Sequence, residues 1–402
     1  MSGSPPLRLL FIVDSRFPGF GGAETQALKL AFALRERGME LEFVAPLVND
    51  TQALEEVYHG FRVARVNYPQ IPGLRSLALF VNTARHLLRE AHRFDAVHVH
   101  VTHLMAAAAG LVRRRTGLPV ITKVSGFYEF EGGVLDPAAS GAPLNRLIRR
   151  GLAGVDHVQT ISGQTREKLI AAGFRDEQIA FVPNGIDTRE PPPARVQDGV
   201  LRIGYCGRLR EVKGVHVLLD GFAQLSSQRP GLPLELAVAG DGETREALES
   251  QARALGIEER VVWHGHVDET RTAPFYAGLD LYVQPSFAEG LPNSVMEAML
   301  AGRPVVASDI GGNTDLVEDG RSGLLFACGD ATDLARRLLE LVESPSVCAR
   351  LGAAGRRVIE EGYGFDAVVD RLLELYVPPV VDAPEAAVVA AVGEVGEPDR
   401  RT

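Results

Sequence analysis

Short apolar runs separated by segments of helical periodicity recur along the first half of the chain. The runs that are apolar on both faces are Leu9–Val13, Leu41–Ala45, Ala96–Val101, Val120–Val124 and His157–Ile161. The segment after the first run has apolar residues at intervals of three and four and ends at a glycine: Ala27, Leu30, Ala31, Leu34 and Gly38. Strands of this kind form parallel sheets that helices cover on both faces. The first half is therefore predicted to be an α/β domain.

The same pattern restarts after a proline-rich stretch at residues 190–193. The strands predicted beyond it are Leu201–Tyr205, Leu234–Ala239, Val261–Trp263, Leu281–Gln284, Val305–Ala307 and Gly323–Phe326. The predicted architecture is α/β, with two Rossmann-like, doubly wound parallel-sheet domains that face each other across a cleft. Ligands of such sheets bind outside the carboxyl ends of the strands, so we expect the functional residues to lie in that cleft.

The domain boundaries follow from these patterns. The first domain is placed at residues 1–190, the second at residues 191–362, and a final amphipathic helix at residues 363–377. Residues 378–402 alternate Ala, Val, Pro and acidic residues without a period, which predicts a disordered tail.

Composition and charge restrict the function classes. The 402 residues are 46% hydrophobic and 23% charged, which is ordinary for a folded globular chain. The net charge of −10 provides no overall attraction for nucleic acid, so none is expected as a partner. Three scattered cysteines lack metal-ligand spacing, and the chain shows no signal-peptide pattern and no apolar run near the ~20 residues of a spanning helix. These features predict a cytoplasmic protein.

The segment Pro285–Asn313 contains two carboxylates eight positions apart. Glu289 lies in the loop after a predicted strand, and Glu297 lies on the helix that begins near Pro292. Both side chains can therefore face one cleft, where carboxylates suit the hydroxyl groups of a sugar. A solvated helix with incidental glutamates is the alternative that the spacing leaves open.

A second motif, Gly204–Gly214, also follows a predicted strand. Arg208 and Lys213 are separated by a short loop and suit the two phosphates of a diphosphate, because arginine binds with a planar fork and lysine as a point charge. A solvated basic loop is the alternative.

In a third motif, PGFGGAE, Gly21 and Gly22 allow the backbone to approach a ligand closely. This motif is not GxGxxG, so it gives a dinucleotide site weak support, and a plain tight turn is its alternative.

Three histidines lie close together in the segment DAVHVHVTH. Strand alternation puts His98 and His100 on the same side, and His103 begins the next loop. We predict that His98 is a core residue and that His100, nearer the strand end, contacts the substrate. Neither an ordered set of zinc ligands nor a DxD pair at a strand end is present, so no metal and no other cofactor is predicted.

Taken together, these motifs resemble the retaining glycosyltransferases of the GT-B fold, in the large family 4, or group 1, that includes many bacterial cell-surface glycosyltransferases. The resemblance covers about residues 7–376. The most specific matches are EGLPNSVMEAMLAGRPVVASDIGG and DLVEDGRSGLLF, and the supporting ones are GGAE, HVH, PNGID, GRLREVKG and GDG.

The resemblance implies a role for each site residue. Arg208 and Lys213 would hold the diphosphate of a nucleotide-sugar donor, and amides around Gly21 and Gly22 would close on it. Glu297 would bind the ribose. The hydroxyls of the donor sugar would be bound by Glu289 together with Gly290 and Leu291, and His100 would orient the sugar. The final helix would cross back onto the first domain.

The same resemblance implies retention of the anomeric configuration by front-face attack, in which the departing diphosphate takes the acceptor's proton. A non-catalytic nucleotide-sugar binder and a sugar-nucleotide epimerase are the alternative functions.

The acceptor, a sugar, lipid-linked or small molecule, is expected on the first domain near the loop Ser125–Ala142. Arginines at 113–115 and 146–150 would allow peripheral contact with the inner membrane face, with a solvated basic surface as the alternative.

Overall fold

In the part of the chain that the structure describes, the first sheet contains eight strands in the order β3-β4-β2-β1-β5-β6-β7-β8. The computed structural model describes residues 5–19, 22–49, 52–124, 129–130, 133–136, 143–189 and 198–377. The strands are β1 (Arg8–Val13), β2 (Glu40–Pro46), β3 (Glu55–Tyr58), β4 (Phe61–Val66), β5 (Ala96–His100), β6 (Val120–Lys123), β7 (His157–Thr160) and β8 (Ile179–Phe181). The helices of this half are α1 (Gly22–Glu36), α2 (Arg75–Glu90), α3 (Leu104–Thr116), α4 (Pro143–Leu152) and α5 (Gly163–Ala171).

The second sheet, built from described residues after 198, contains six parallel strands in the order β11-β10-β9-β12-β13-β14. These are β9 (Leu201–Cys206), β10 (Leu234–Ala239), β11 (Val261–Gly265), β12 (Leu281–Gln284), β13 (Val305–Ser308) and β14 (Leu324–Phe326). The helices are α6 (Val215–Gln228), α7 (Arg245–Ala254), α8 (Glu269–Ala277), α9 (Asn293–Leu300), α10 (Gly311–Thr314), α11 (Ala331–Val342) and α12 (Pro345–Gly362), and α13 (Phe365–Tyr376) follows. The predicted pair of parallel α/β sheets is confirmed.

The order of the strands fixes where ligands can bind. Strand β1 lies between β2 and β5, and β9 lies between β10 and β12, so the direction of winding changes at each of these strands. The crevice for a ligand opens at such a switch point, beyond the carboxyl ends of the strands. The loops after β1, β5, β9 and β12 are therefore the ones that form the site.

One hairpin at the edge of the first sheet was not predicted. Strand β3 pairs with β4 in antiparallel direction, and His59 and Gly60 between them both have positive φ. Two such residues form the tight turn that joins hairpin strands. The sequence EEVY of β3 is polar and partly exposed, so it lacks the continuous apolar pattern that identified the buried strands.

The final helix, α13, packs on the first domain. Val368, Val369 and Leu372 are buried in one apolar cluster with residues of β1, β2 and α1. The hydroxyl of Tyr376 lies 2.7 Å from Nδ1 of His98, and both side chains are buried. His98 is thus a core residue with a hydrogen-bond partner, as predicted. The predicted disordered tail, 378–402, lies outside the described residues.

Helix α4 turns its apolar side chains toward the interior. Ile148 and Leu152 are buried, and Leu144 and Leu147 pack against the same core cluster. Its backbone also approaches α3 closely, since a Cβ on Gly151 would lie 2.2 Å from the carbonyl oxygen of Ala107. The apolar side chains of α4 are therefore engaged with the core, and one of its arginines, Arg149, donates to the carbonyl oxygen of Asp136 at 2.7 Å. No helix among the described residues is both long and apolar enough to cross a bilayer.

The Tyr376→Phe variant should unfold more easily than the wild type. It leaves Nδ1 of His98 without its 2.7 Å partner inside the core, and an unsatisfied buried group costs about 1–3 kcal/mol. Equilibrium urea denaturation measures this loss. Tyr68→Phe is the matched control, because the Tyr68 hydroxyl has no hydrogen bond to a described residue; equal stability of the two variants would contradict the prediction.

Candidate active site

Described residues of both domains line two cavities between them. One, here called the Glu289 cavity, has a volume of about 690 Å³ and is lined by Glu289, Gly290 and Leu291 from the second domain. The other, the Glu297 cavity, has a volume of about 710 Å³ and is lined by the α9 face that carries Glu297. Both reach Gly22 at the start of α1. Besides Gly22, four of the predicted donor-binding residues therefore line the interdomain cleft: Glu289, Gly290, Leu291 and Glu297.

Glu289 is held by three hydrogen bonds that all end on one oxygen. Its Oε1 accepts from Nζ of Lys213, Nε2 of Gln284 and Oγ of Ser286, each at 2.7 Å. Oε2 has no hydrogen bond to any described residue. The carboxylate, which is 9% exposed, is therefore fixed in orientation with one oxygen available to a ligand.

Lys213 reaches Glu289 because two loops pack together. Gly214 has φ +65°, and a Cβ there would lie 2.1 Å from the carbonyl oxygen of Pro285. The amide of Phe287 also donates to the carbonyl oxygen of Val212 at 2.8 Å. Only glycine permits both this backbone conformation and this close approach. The loop after β9 is thereby joined to the loop after β12.

Arg208 is placed differently from Lys213. Its side chain is exposed, and its guanidinium has no hydrogen bond or ion pair with a described residue. The hydroxyl of Tyr205 donates to its carbonyl oxygen at 3.1 Å, which fixes the backbone there. The structure thus leaves the guanidinium free to turn toward a ligand at the loop after β9.

Glu297 lies in the second turn of α9, whose first residue, Asn293, follows Pro292. It shares the Glu297 cavity with Tyr276, and burial, with a further contribution from the Glu297 charge, raises the pKa of the Tyr276 hydroxyl. Leu291 is 6% exposed and anchors the chain before α9. Asn293, the first residue of α9, lines both cavities, and the amides at the start of a helix favour negative charge nearby.

Among the described residues, the first-domain wall contains five charged or titratable side chains that the sequence analysis did not assign as site residues. Those that line the Glu289 cavity are Asp14, Glu24, His103, Lys123 and Glu129. Asp14 follows β1 directly, and Lys123 is the last residue of β6. A charged residue at the carboxyl end of a predicted strand is the signal that was available for both.

Backbone amides donate hydrogen bonds to two of the acids of this wall, Asp14 and Glu129. Oδ2 of Asp14 accepts from the amide of Met105 at 2.8 Å, at the start of α3. Oε1 of Glu129 accepts from the amide of Thr102 at 2.8 Å. Between β5 and α3, Val101 has φ +83°, a strained conformation for a β-branched residue. The strained turn brings the chain from the buried strand to the cavity wall.

Lys123 connects the two domains through a pair of asparagines. Its Nζ donates to Oδ1 of Asn184 at 2.7 Å, and Nδ2 of Asn184 donates to Oδ1 of Asn293 at 3.1 Å. The lysine side chain is 4% exposed, and burial lowers the pKa of its ammonium to about 8. The first-domain wall is thereby linked to the first residue of α9.

His100 lies in the core of the first domain in this structure. His100 is 1% exposed, and its ring stacks on that of His98 at 4.4 Å between ring centroids. Neither ring nitrogen has a hydrogen-bond partner among the described residues. Both rings lie on the face of β5 that packs against Phe11. The alternation of the strand was thus interpreted correctly, but it directs His100 into the core. His103, which precedes α3, is the histidine that lines the cavity.

His103 should keep its proton at a higher pH than an ordinary histidine. Burial opposes protonation, but pairing with Asp14, 3.6 Å away, and the charge of Glu129 outweigh it, so the pKa of His103 is raised. Its stabilising contribution is present below the ordinary pKa of 6.5 and is lost as the pH rises through the raised value. An NMR titration of His103 checks this, and Asp14→Asn, which keeps an acceptor for Met105, should lower the pKa; an unchanged value would contradict it.

The glycine motif is only partly described. Gly22 is exposed at the first position of α1 and borders both cavities, whereas Gly21 lies outside the described residues. Among the described residues, no cluster of three or more His, Cys, Asp or Glu side chains has the arrangement of a metal site.

Comparisons with known proteins agree with this geometry. The family model described as Glycosyltransferase Family 4 matches residues 20–190, and the one described as Glycosyl transferases group 1 matches residues 201–344. The chain is 30% identical to a GDP-mannose-dependent alpha-mannosyltransferase of Mycobacterium tuberculosis over 92% of this chain and 96% of that protein. It is 28% identical to a D-inositol 3-phosphate glycosyltransferase of Xylanimonas cellulosilytica, over 89% of this chain and 91% of the relative.

The fold agrees with solved structures as well. HepE of Anabaena, in complex with UDP, superposes with a TM-score of 0.73 at 22% identity, over 92% of this chain and 99% of HepE. The two family models divide between the two sheets described above, and the mannosyltransferase matches almost end to end. The chain therefore belongs to the family 4, group 1 glycosyltransferases, and it is a glycosyltransferase with the GT-B fold.

Proposed function

We propose that this enzyme transfers a sugar from a nucleotide-diphosphate sugar to a hydroxyl group of its acceptor, with retention of the anomeric configuration. The observation that carries the proposal is the Glu289 carboxylate, which Lys213 and two neutral donors hold by one oxygen while the other is open to the cleft. A carboxylate held in this way can accept hydrogen bonds from sugar hydroxyls, while the adjacent ammonium can face a diphosphate.

The donor lies along the second domain in this proposal. Glu297 binds the ribose, Lys213 and Arg208 contact the diphosphate, and amides at Gly22 and at the start of α9 add dipoles that favour negative charge. Fixed positive groups beside the leaving group stabilise the charge that develops as its bond breaks. In this proposal these groups neutralise the charge on the diphosphate that a metal ion would otherwise neutralise, so neither a metal nor a cofactor takes part.

The reaction proceeds on one face of the sugar. The bond between the anomeric carbon and the diphosphate oxygen breaks, and the acceptor oxygen forms its bond on the same face. The acceptor's proton passes to the departing diphosphate oxygen, which balances the step without a protein base. His103, on the opposite wall, orients the sugar and acceptor in place of His100.

The names of the relatives indicate which donors to test. One relative is named for GDP-mannose, whereas others are named for D-inositol 3-phosphate, which leaves the nucleotide and the acceptor open. The experiment begins with a thermal-shift panel of UDP, GDP, ADP and TDP. The nucleotide that stabilises the protein most is then supplied as its sugar conjugates, with mannosides, inositol and glycans as acceptors.

Three readouts decide the proposal. NMR of the product should show the anomeric configuration of the donor, and the rate should persist in EDTA. An inverted product would reject retention, and loss of activity in EDTA with rescue by magnesium would reject the metal-free arrangement. Nucleotide-sugar binding without transfer would favour a non-catalytic binder, and a product with the mass of the donor would favour an epimerase.

A further inference from the structure

Strand β12 ends with a glutamine that is buried as deeply as its apolar neighbours. Gln284 is 2% exposed, and Tyr282, on the same face of the strand, is fully buried. Glutamine is mostly found at protein surfaces, and a polar side chain is retained in the interior where its hydrogen bonds are made. The contacts of this amide therefore indicate its role.

The side-chain amide of Gln284 uses all four of its hydrogen-bonding positions. Its Nε2 donates to Oε1 of Glu289 at 2.7 Å and to Oγ of Ser286 at 2.8 Å. Its Oε1 accepts from the hydroxyl of Tyr282 at 2.8 Å and from Oγ of Ser294 at 3.0 Å. A primary amide has two donor hydrogens and two acceptor positions. The opposite orientation would turn its oxygen toward the Glu289 carboxylate, which can only accept, so these contacts fix the amide in one orientation.

The same contacts join the Glu289 carboxylate to α9. Ser294 is the second residue of α9 and lies one turn before Glu297. Residues 290–292 connect Glu289 to this helix, which places the backbone but leaves the carboxylate able to turn about its own side-chain bonds. Among the described residues, no hydrogen bond joins the Glu289 carboxylate directly to α9. The Gln284 amide therefore provides a side-chain connection between the carboxylate and the helix.

We propose that Gln284 is a positioning residue, which holds the Glu289 carboxylate in a fixed orientation relative to α9 so that Glu289 and Glu297 contact one donor molecule at the same time. The inference rests on the proposed function, in which Glu289 binds the donor sugar and Glu297 the ribose. Lys213 alone would not supply this orientation, because its ammonium is a point charge on a flexible side chain. The planar amide has donors and acceptors in fixed directions, and it is neutral, so it orients Glu289 without cancelling its charge.

Gln284→Met tests the orientation of the carboxylate. Methionine has a similar length but makes none of the four hydrogen bonds, and misplacing a group in an active site by about 1 Å can cost about 10²-fold. kcat at saturating donor and acceptor should therefore fall about tenfold or more. The nucleoside diphosphate chosen by the thermal-shift panel should still bind within about twofold of the wild-type affinity in isothermal titration calorimetry, because Lys213 and Arg208 are retained. An unchanged kcat, or a matching loss of nucleotide binding, overturns the inference.

Gln284→Glu adds a measurement that a purely structural role would not change. Like charges at this distance hold the pKa of one of the two carboxyl groups above its ordinary range. At low pH the new group is protonated and donates to Glu289 as the amide does, whereas at high pH it ionises and repels Glu289. kcat relative to the wild type should therefore fall about fivefold or more between about pH 5.5 and about pH 8.5. A ratio that does not depend on pH overturns the inference.

The other titratable groups near the amide do not produce this pH dependence. Lys213 supplies one positive charge for the two carboxyl groups, so it cannot neutralise both. The Tyr205 hydroxyl, which responds to the Glu289 charge, and the Tyr282 hydroxyl stay protonated in this range, because burial raises the pKa of both. The change in the ratio would thus report on the group at position 284.

Gln251 provides matched controls in the same domain. Its Nε2 donates to the carbonyl oxygen of His216 at 3.0 Å and to Oδ1 of Asp220 at 2.8 Å, and it lines neither cavity. Gln251→Met therefore loses amide hydrogen bonds, and Gln251→Glu places a carboxyl group beside a carboxylate, both away from the cleft. Both should keep the wild-type kcat at each pH. A fall in kcat or a pH-dependent ratio equal to that of the Gln284 variants would overturn the inference.

Ser294→Ala gives a second measurement should Gln284→Met fold poorly. It breaks the connection to α9 and leaves the three donors of Glu289 in place. kcat should fall about threefold or more, the equivalent of one hydrogen bond, with unchanged nucleotide affinity. An unchanged kcat overturns the role given to this connection. Absence of transfer by the wild type with every donor would overturn the proposed function, and this inference with it, whereas unchanged kcat in variants of an active enzyme overturns this inference alone.

Discussion

The Glu289→Gln variant is expected to lose about 10²- to 10³-fold in kcat, the range observed when one fixed electrostatic group is removed from an active site. The amide has the same shape but no charge, so the oxygen that faces the cleft becomes a weaker acceptor for sugar hydroxyls. The hydrogen bond from Lys213, 2.7 Å long in the structure, loses its ionic character as well. Initial rates of transfer at saturating donor measure the loss.

Nucleotide binding separates this effect from a damaged site. Lys213 is released from its carboxylate partner in the variant, so the nucleoside diphosphate should bind with unchanged or higher affinity in isothermal titration calorimetry. Glu246→Gln, an exposed carboxylate on α7, is the matched control and should behave as the wild type. Full transfer activity in Glu289→Gln, or simultaneous loss of nucleotide binding, would contradict the role given to this carboxylate.

The architecture was predictable because the central strands are buried on both faces. Strands β10 and β12 were predicted with the bounds that the structure shows, and β9 differs by one residue. Their sequences consist largely of apolar residues bounded by glycine, proline or charged residues, which is the pattern of a covered parallel sheet. Packing against neighbouring layers thus imposes a pattern on every residue of these strands, whereas the half-exposed hairpin strand β3 has no such constraint.

The second-domain half of the site was predictable for a different reason. Lys213 and Glu289 lie 76 positions apart, but each follows a strand of the same sheet, and the topology brings both loops to one edge. The direct contact between them depends on the approach of Gly214 to Pro285, which the sequence indicates only through a glycine. The sequence therefore predicted that both residues follow strands of one sheet but not that they form an ion pair.

The first-domain wall was harder to predict because its side chains belong to no extended motif. Lys123 and Asp14 are single charged residues next to apolar strands, and a lone charge at a strand end is as common at a surface as at a site. His103, and not His100, lines the cavity, and the chain between them turns at Val101, which has a positive φ. A valine in a sequence does not indicate this conformation, because it is strained for a β-branched residue.

Arg208→Ala is expected to raise the KM for the donor and to lower kcat/KM by about 10²-fold without a change in stability. Its guanidinium is exposed and has no described partner to lose on truncation, so the melting temperature should remain that of the wild type. The loss arises at the diphosphate, where a planar fork binds two oxygens at once. Arg210→Ala is the matched control, since Arg210 lies in the same loop and faces Glu243 at 3.4 Å.

Lys213→Met should show both a catalytic and a structural effect, which distinguishes it from Arg208→Ala. Glu289, 9% exposed, loses its cation, and a hydrogen bond to a charged group contributes about 2 kcal/mol, so the free energy of unfolding should fall by about that amount. kcat/KM should fall by about 10²- to 10³-fold because the leaving group loses a fixed charge.

The double variant Lys213→Met with Glu289→Gln removes the unpaired charge, so it should regain stability without regaining activity. Recovery of activity in the double variant would mean that transfer needs neither the Lys213 ammonium nor the Glu289 carboxylate, and the roles assigned to both would be wrong.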